Sequence, residues 1–207
     1  MIRSVFLLVA VMGTGSGFGA ETDSKWISLF NGKDLTGWTV RGEAAWSVQN
    51  GVLVGLGRMG HIYADPICSD FEVKGMFRVT SQGAIPNSGF YFRAVPPAED
   101  PDGFPRGYEA QICNHGDGST GWLWKPGKPT GKANALLTKD GEWFSYRVRA
   151  VDAHIQFWVN RKLVMTYDDP EYKAGHFAIQ CHNAGMKIEA KALFYLDLSR
   201  STGSCCQ

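Results

Sequence analysis

Excess charge of either sign is missing from this 207-residue chain: 21 Lys and Arg stand against 20 Asp and Glu, a formal charge of +1. Nucleic acids and acidic membranes are held by surplus cations, so this balance argues against both as partners. Cysteine is scarce, with five in all and no Cys-x-x-Cys pair. Only Cys68, Cys113 and Cys181 lie away from the C-terminal tail, too few for a structural zinc site. The odd count leaves at least one sulfur unpaired or bonded to another molecule in an oxidising compartment, and the adjacent Cys205 and Cys206 pair only with strain. Long apolar runs are lacking as well. The one at Val5 to Met12 falls short of the roughly 20 residues that cross a bilayer, so no transmembrane segment is expected. No Gly-Lys-Ser/Thr follows a glycine-rich stretch, which excludes a phosphate loop.

Residues 1–20 read as a secretory signal peptide: Arg3, the apolar run, then small residues from Gly13 to Ala20. Removing Arg3 leaves 20 basic residues against 20 acidic ones. No cysteine adjoins the expected cleavage point, so a lipid-attachment site is absent there. The expectation is a secreted or periplasmic protein with one domain over residues 21–199 and a flexible Ser/Gly tail at 200–207.

Short apolar segments punctuated by 25 Gly and 9 Pro point to strands. Eleven are expected: Trp26 to Phe30, Trp46 to Gln49, Val52 to Val54, Phe71 to Val79, Gly89 to Val95, Tyr108 to Cys113, Trp143 to Val151, His154 to Val159, Leu163 to Tyr167, His176 to His182 and Lys187 to Leu198. Asn50-Gly51 between two of them is a hairpin signal. Only Ala133 to Leu137 suggests a helical turn. The fold class is all-β, an antiparallel sandwich.

Period-two alternation sorts the side chains of three strands. Tyr108, Ala110 and Ile112 face a core, with Glu109, Gln111 and Cys113 opposite. Phe90 and Phe92 face inward, with Gly89, Tyr91 and Arg93 opposite. Phe177, Ile179 and Cys181 face inward, with His176, Gln180 and His182 opposite. As neighbours, these strands offer one polar, aromatic and ionisable surface; the plain alternative is a solvated sandwich face. Parity also puts Cys113 and Cys181 on different faces, against a disulfide unless a bulge intervenes. His115 opens the Gly-rich loop that contains Asp117. Trp122 and Trp124 share a parity suited to stacking on sugar or to core packing. Trp38, Trp46, Trp143 and Trp158 are assigned to the core, and His61, His115, His154 and His176 are scattered.

Several segments together resemble the 3-keto-disaccharide hydrolase domain family. They are Leu29-Phe30-Asn31-Gly32-Lys33-Asp34-Leu35-Thr36-Gly37-Trp38, Asp70-Phe71-Glu72-Val73, Asn87-Ser88-Gly89 with Arg93, Gly107-Tyr108-Glu109-Ala110-Gln111-Ile112, Thr120-Gly121, Gly141-Glu142-Trp143 and Ile179-Gln180-Cys181-His182. The resemblance runs from about Trp26 to Leu198. It implies a concanavalin A-like jelly-roll sandwich with a carbohydrate-binding sheet, acting on glycosides oxidised at carbon 3 by hydrolysis or by elimination and hydration. A ketone at carbon 3 acidifies the hydrogen on carbon 2, so the chemistry needs a base and a stabiliser of the enediolate. Glu109 or His182 would be the base and Arg93 the donor to a sugar oxygen. Asn87, Tyr91, Gln111, His115, Trp122 and Trp124 would bind substrate. Alternatively Glu109 and His182 would hold a divalent metal. Asn114 and Cys181 stand where the family pattern often has aspartate. A non-catalytic carbohydrate-binding module on the same sandwich is the other function class. Glu171, in a predicted turn, lies outside every motif.

Overall fold

Alternation of apolar and polar side chains decides where this chain extends, and the extended segments pair into two sheets. The computed structural model describes residues 25–100, 103–116 and 118–199; the expected signal peptide, Asp117 and the tail with Cys205 and Cys206 lie outside them. The strands are β1 (Ile27–Ser28), β2 (Trp38–Gly42), β3 (Ala45–Gln49), β4 (Val52–Gly57), β5 (Gly60–Cys68), β6 (Phe71–Ser81), β7 (Ser88–Val95), β8 (Arg106–Ile112), β9 (Leu123–Lys125), β10 (Lys128–Gly131), β11 (Phe144–Val151), β12 (His154–Val159), β13 (Lys162–Asp168), β14 (Gly175–Cys181) and β15 (Met186–Asp197). An eight-stranded sheet runs β13-β12-β11-β6-β15-β4-β3, with β1 also on β15, and a seven-stranded sheet runs β10-β9-β8-β7-β14-β5-β2. Every pairing is antiparallel. Among the described residues no helix is long and apolar enough to cross a membrane.

The sandwich expected from the sequence is present, and its core lies between the sheets. Phe71, Val73, Phe77 and Val79 of β6 meet Phe90 and Phe92 of β7, Tyr108 of β8 and Phe177 of β14. Phe90 and Phe177 stack with centroids 6.1 Å apart, and Phe71 meets Phe177 edge-on at 4.8 Å. The Asn50-Gly51 hairpin forms as read, both residues taking positive φ (50° and 78°) as a two-residue type I′ turn requires.

Three expectations are corrected. Strands β2, β5, β9 and β10 were not among the eleven, because Gly60, Asp65 and Pro66 break up the pattern of β5 while β9 and β10 are short. Residues 133–137 form no helical turn; the Asn134 N–H donates to Val164 O at 2.8 Å, and this pairing with β13 overrides local propensity. Trp143 and Trp158 are not core. They lie on the outer face of the eight-stranded sheet, Trp143 under Arg78 (4.8 Å) and Lys191 (4.2 Å), Trp158 under Arg147 (4.4 Å). Cys68, Cys113 and Cys181 are buried free thiols; Cys181 belongs to the inter-sheet core and Cys113 does not, as strand parity requires.

Candidate functional site

The outer face of the seven-stranded sheet breaks the pattern of a solvated surface. From Ser88 to Ala94, β7 is buried on both faces. Phe104 and Pro105, just before β8, lie beside His61 and His182, and the β9–β10 turn brings Lys125, Pro126 and Gly127. Between them lies a cavity of about 300 Å³ lined also by Asn87, Tyr91, Glu109, Gln111, Trp124 and His182. Its size is at the low end of small-ligand sites.

Glu109 is set opposite Tyr91 on one side and Trp124 on the other by strand register. Its Oε2 accepts a hydrogen bond from the Tyr91 hydroxyl at 2.9 Å. Burial pushes the carboxyl pKa up to about 8, a rise that the Tyr91 bond opposes. The carboxylate fits because residue 89 is glycine: a Cβ there would collide with Glu109 Oε1. Tyr91 continues the row, its oxygen accepting from Gln180 Nε2 at 3.1 Å. Gln180 Nε2 lies 3.3 Å from His61 Nε2. Since an amide nitrogen only donates, His61 Nε2 must accept and its Nδ1 carries the hydrogen. Burial, then the charge of His182, lowers the His61 pKa to about 4, and burial lowers that of His182. Both imidazoles are therefore neutral donors and acceptors near pH 7.

This face holds a concentration of unmet hydrogen-bonding capacity. Among the described residues, Nδ1 of His61, the hydroxyl of Tyr63, Oε1 of Gln111 and Gln180 and Nε1 of Trp124 are buried without a protein partner. Such orphans are costly in a finished interior and suit a site that a polyhydroxylated ligand completes. Asn87 and Gln111 are bonded to each other (Gln111 Nε2 to Asn87 Oδ1, 3.2 Å), and Asn87 O accepts from the His182 N–H. Lys125 is not a free cation, since its Nζ contacts Asp169 (2.7 Å) and Glu171 (2.6 Å).

Asn87, Tyr91, Glu109, Gln111, Trp124 and His182 thus meet around one cavity, whereas Arg93, His115 and Trp122 do not. Arg93 takes φ +48° at an irregularity in β7, which breaks the alternation that placed it beside Tyr91. Its guanidinium instead ties the end of the sandwich, donating to Ser69 O (2.8 Å), Asp152 O (2.8 Å), Tyr172 O (3.0 Å) and Asp70 Oδ1 (3.2 Å). His115 sits beyond the end of β8 and pairs with Asp140 at 2.6 Å beside a different hollow. Trp122 follows Gly121 (φ +95°) and lies under Lys132 at 5.1 Å. Asn114 bonds Asp140 and the hydroxyls of Thr120 and Thr138.

Glu109 and His182 share the cavity as the metal alternative requires. Among the described residues no group of three His, Cys, Asp or Glu side chains converges. A divalent ion there would need amide oxygens of Asn87 or Gln111 and water to complete its shell. Phe104 and Lys125 line the cavity and were not expected there, and His61 and Tyr63 join Gln180 on the same face beside it, also unexpectedly. Reading residues 60–64 as a strand would have found two of them, because Ile62 and Ala64 alternate inward with His61 and Tyr63 outward.

The fold has relatives of known structure. A "putative glycosyl hydrolase" from Parabacteroides distasonis ATCC 8503 superposes with TM-score 0.70 at 22% identity, covering 84% of this chain and 94% of that one. The carbohydrate binding module CBM66 from Bacillus subtilis gives TM-score 0.62 at 16% identity, covering 78% and 96%. A Bacillus subtilis protein of unknown function with a galectin-like fold gives 0.62 at 14%, covering 84% and 94%. No curated protein matches the sequence. Sequence likeness over residues 25–193, together with a jelly-roll sandwich carrying a cavity on one sheet, places the chain in the 3-keto-alpha-glucoside-1,2-lyase-like domain family.

Proposed function

We propose that the cavity binds a 3-keto-glycoside and that Glu109 removes the hydrogen on carbon 2, in an exported protein. The observation that carries this reading is a carboxylate at the floor of a sugar-sized cavity, held by Tyr91 and raised by burial toward the range of a working base. Proton transfer to Glu109 places the C2–H electron pair between carbons 2 and 3 as the enediolate. Its collapse expels the oxygen on carbon 1, which takes up a proton, and water then adds to the unsaturated product. With Arg93 elsewhere, the donors for the ketone oxygen are neutral: the unpartnered indole N–H of Trp124 and the imidazole of His182. A neutral donor stabilises oxyanion charge without pairing to Glu109 and lowering its basicity.

The test is release of nitrophenol from p-nitrophenyl 3-keto-glucoside. Glu109→Gln should lower kcat on the order of 100-fold to 10,000-fold, and kcat/KM of the native protein should rise with pH through about 8 as the carboxyl ionises. Glu171→Gln is not a neutral control, because Glu171 holds Lys125 at the cavity edge; Glu43→Gln, in an exposed pair with Arg58, is. A folded Glu109→Gln protein with native turnover would overturn the assignment. Saturable binding of the ketosugar with no turnover by native protein would identify a binding module instead.

A further inference from the structure

The eight-stranded sheet carries a second recess on its outer face. In β15 the register with β6 shifts between Lys191 and Phe194, and Ala192, an exposed non-glycine residue at the shift, takes φ +51°. Bulges of this kind bend a strand and re-aim side chains, and left-handed non-glycine backbone is frequent at ligand clamps. Here the irregularity opens a cavity of about 470 Å³ in a face that would otherwise be an even pleat. Its walls include Lys74, Arg147, Arg161, Ser145, Trp158 and Phe194, and no carboxylate lines it.

Two of the three cations are held in place. Lys74 Nζ lies 3.7 Å from the centroid of Trp26, and Arg147 stacks over Trp158. Such stacking restricts long side chains before any ligand arrives. Glu72 contacts Arg147 at 2.6 Å, but Arg147 Nε is a buried donor without an acceptor. Among the described residues neither Lys74 nor Arg161 has an ion-pair partner. A chain of +1 overall thus concentrates unneutralised positive charge around one ring-sized recess with aromatic walls.

We infer that this recess binds an anionic sugar, a uronic-acid residue of an acidic polysaccharide. The carboxylate would meet Arg147, Arg161 and Lys74, as planar carboxylates suit guanidinium, and the ring's C–H faces would lie on Trp158 and Phe194. A nucleic-acid backbone needs an extended cationic stripe and an anionic lipid surface a flat or protruding face; a local concave recess satisfies neither.

Trigalacturonate titrated into the purified protein by calorimetry should bind, more weakly at 200 mM than at 20 mM salt, while maltotriose should show no binding that depends on Lys74 or Arg161. Lys74→Gln and Arg161→Gln should each weaken trigalacturonate binding about tenfold or more, and Glu109→Gln should leave it unchanged, separating this recess from the cavity on the other sheet. Arg161 is exposed in a turn, so its variant should fold even if Arg147 variants do not. No trigalacturonate binding, or native affinity in both variants, would overturn the inference. So would tighter binding of a DNA duplex or of phosphatidylserine vesicles that the same variants abolish.

Discussion

Glu109 shows how much one residue depends on its neighbours. Strand alternation alone separates it from Tyr108 and Ala110, but its raised pKa comes from burial in the folded protein and its fit depends on Gly89 of the neighbouring strand. Gly89→Ala should push the carboxylate off Tyr91. Overpacking of this kind costs about 1–3 kcal/mol of stability, so the variant should remain folded by circular dichroism while kcat on the ketoglycoside falls with little change in KM. Equal activity in the alanine variant would show that the carboxylate position is not critical. The outward alternation of His61 and Tyr63 is legible over residues 60–64, but Asp65 and Pro66 mask the strand that carries it, and a histidine becomes part of a site only through what lies across from it. Gln180 bonds it from one strand and Tyr91 meets it ring to ring from another.

At the scale of elements, irregularities in the strands decide which residues leave the regular pattern. The irregularity in β7 removes Arg93 from the cavity face and hands its guanidinium to three carbonyls and Asp70 at the end of the sandwich. The family motif containing Arg93 is therefore explained here by structure. Replacing it with Met removes the donors to three carbonyls and one of the two donors to Asp70 Oδ1, which keeps the Asp152 N–H, and should cost about 1–3 kcal/mol in urea unfolding. The folded fraction should keep native kcat, since Arg93 does not touch the cavity. A large loss of kcat with native stability would return Arg93 to catalysis.

At the scale of the molecule, two buried ionisable groups set opposing pH slopes. Glu109 has a folded pKa near 8, above its ordinary 4.5, so its uncharged form favours the fold. That stability is complete below about pH 4.5 and is lost as pH rises through 8. His61, lowered from 6.5 to about 4, contributes stability above 6.5 that is lost as pH falls through 4. Glu109→Gln should therefore melt higher than the native protein at pH 9 and no higher at pH 4, the expected price of a functional carboxylate in a dry place. Parallel melting curves of the two proteins across that range would argue against a buried ionising Glu109. Because the three described thiols are free, thermal unfolding with and without reductant should coincide; a lower melting point in reductant would reveal a disulfide. The sequence by itself determined the all-β class, the Asn50-Gly51 hairpin, the inward faces of β7, β8 and β14 and the polar face bearing Glu109, because each follows from alternation or turn chemistry within one segment. Only the tertiary structure decided that Arg93 leaves that face, that Trp143 and Trp158 lie outside the core, and that His61, Gln180 and Tyr91 form one row. These outcomes depend on bulges, register and pairings between residues as far apart as 61 and 180, and no local pattern encodes such distances.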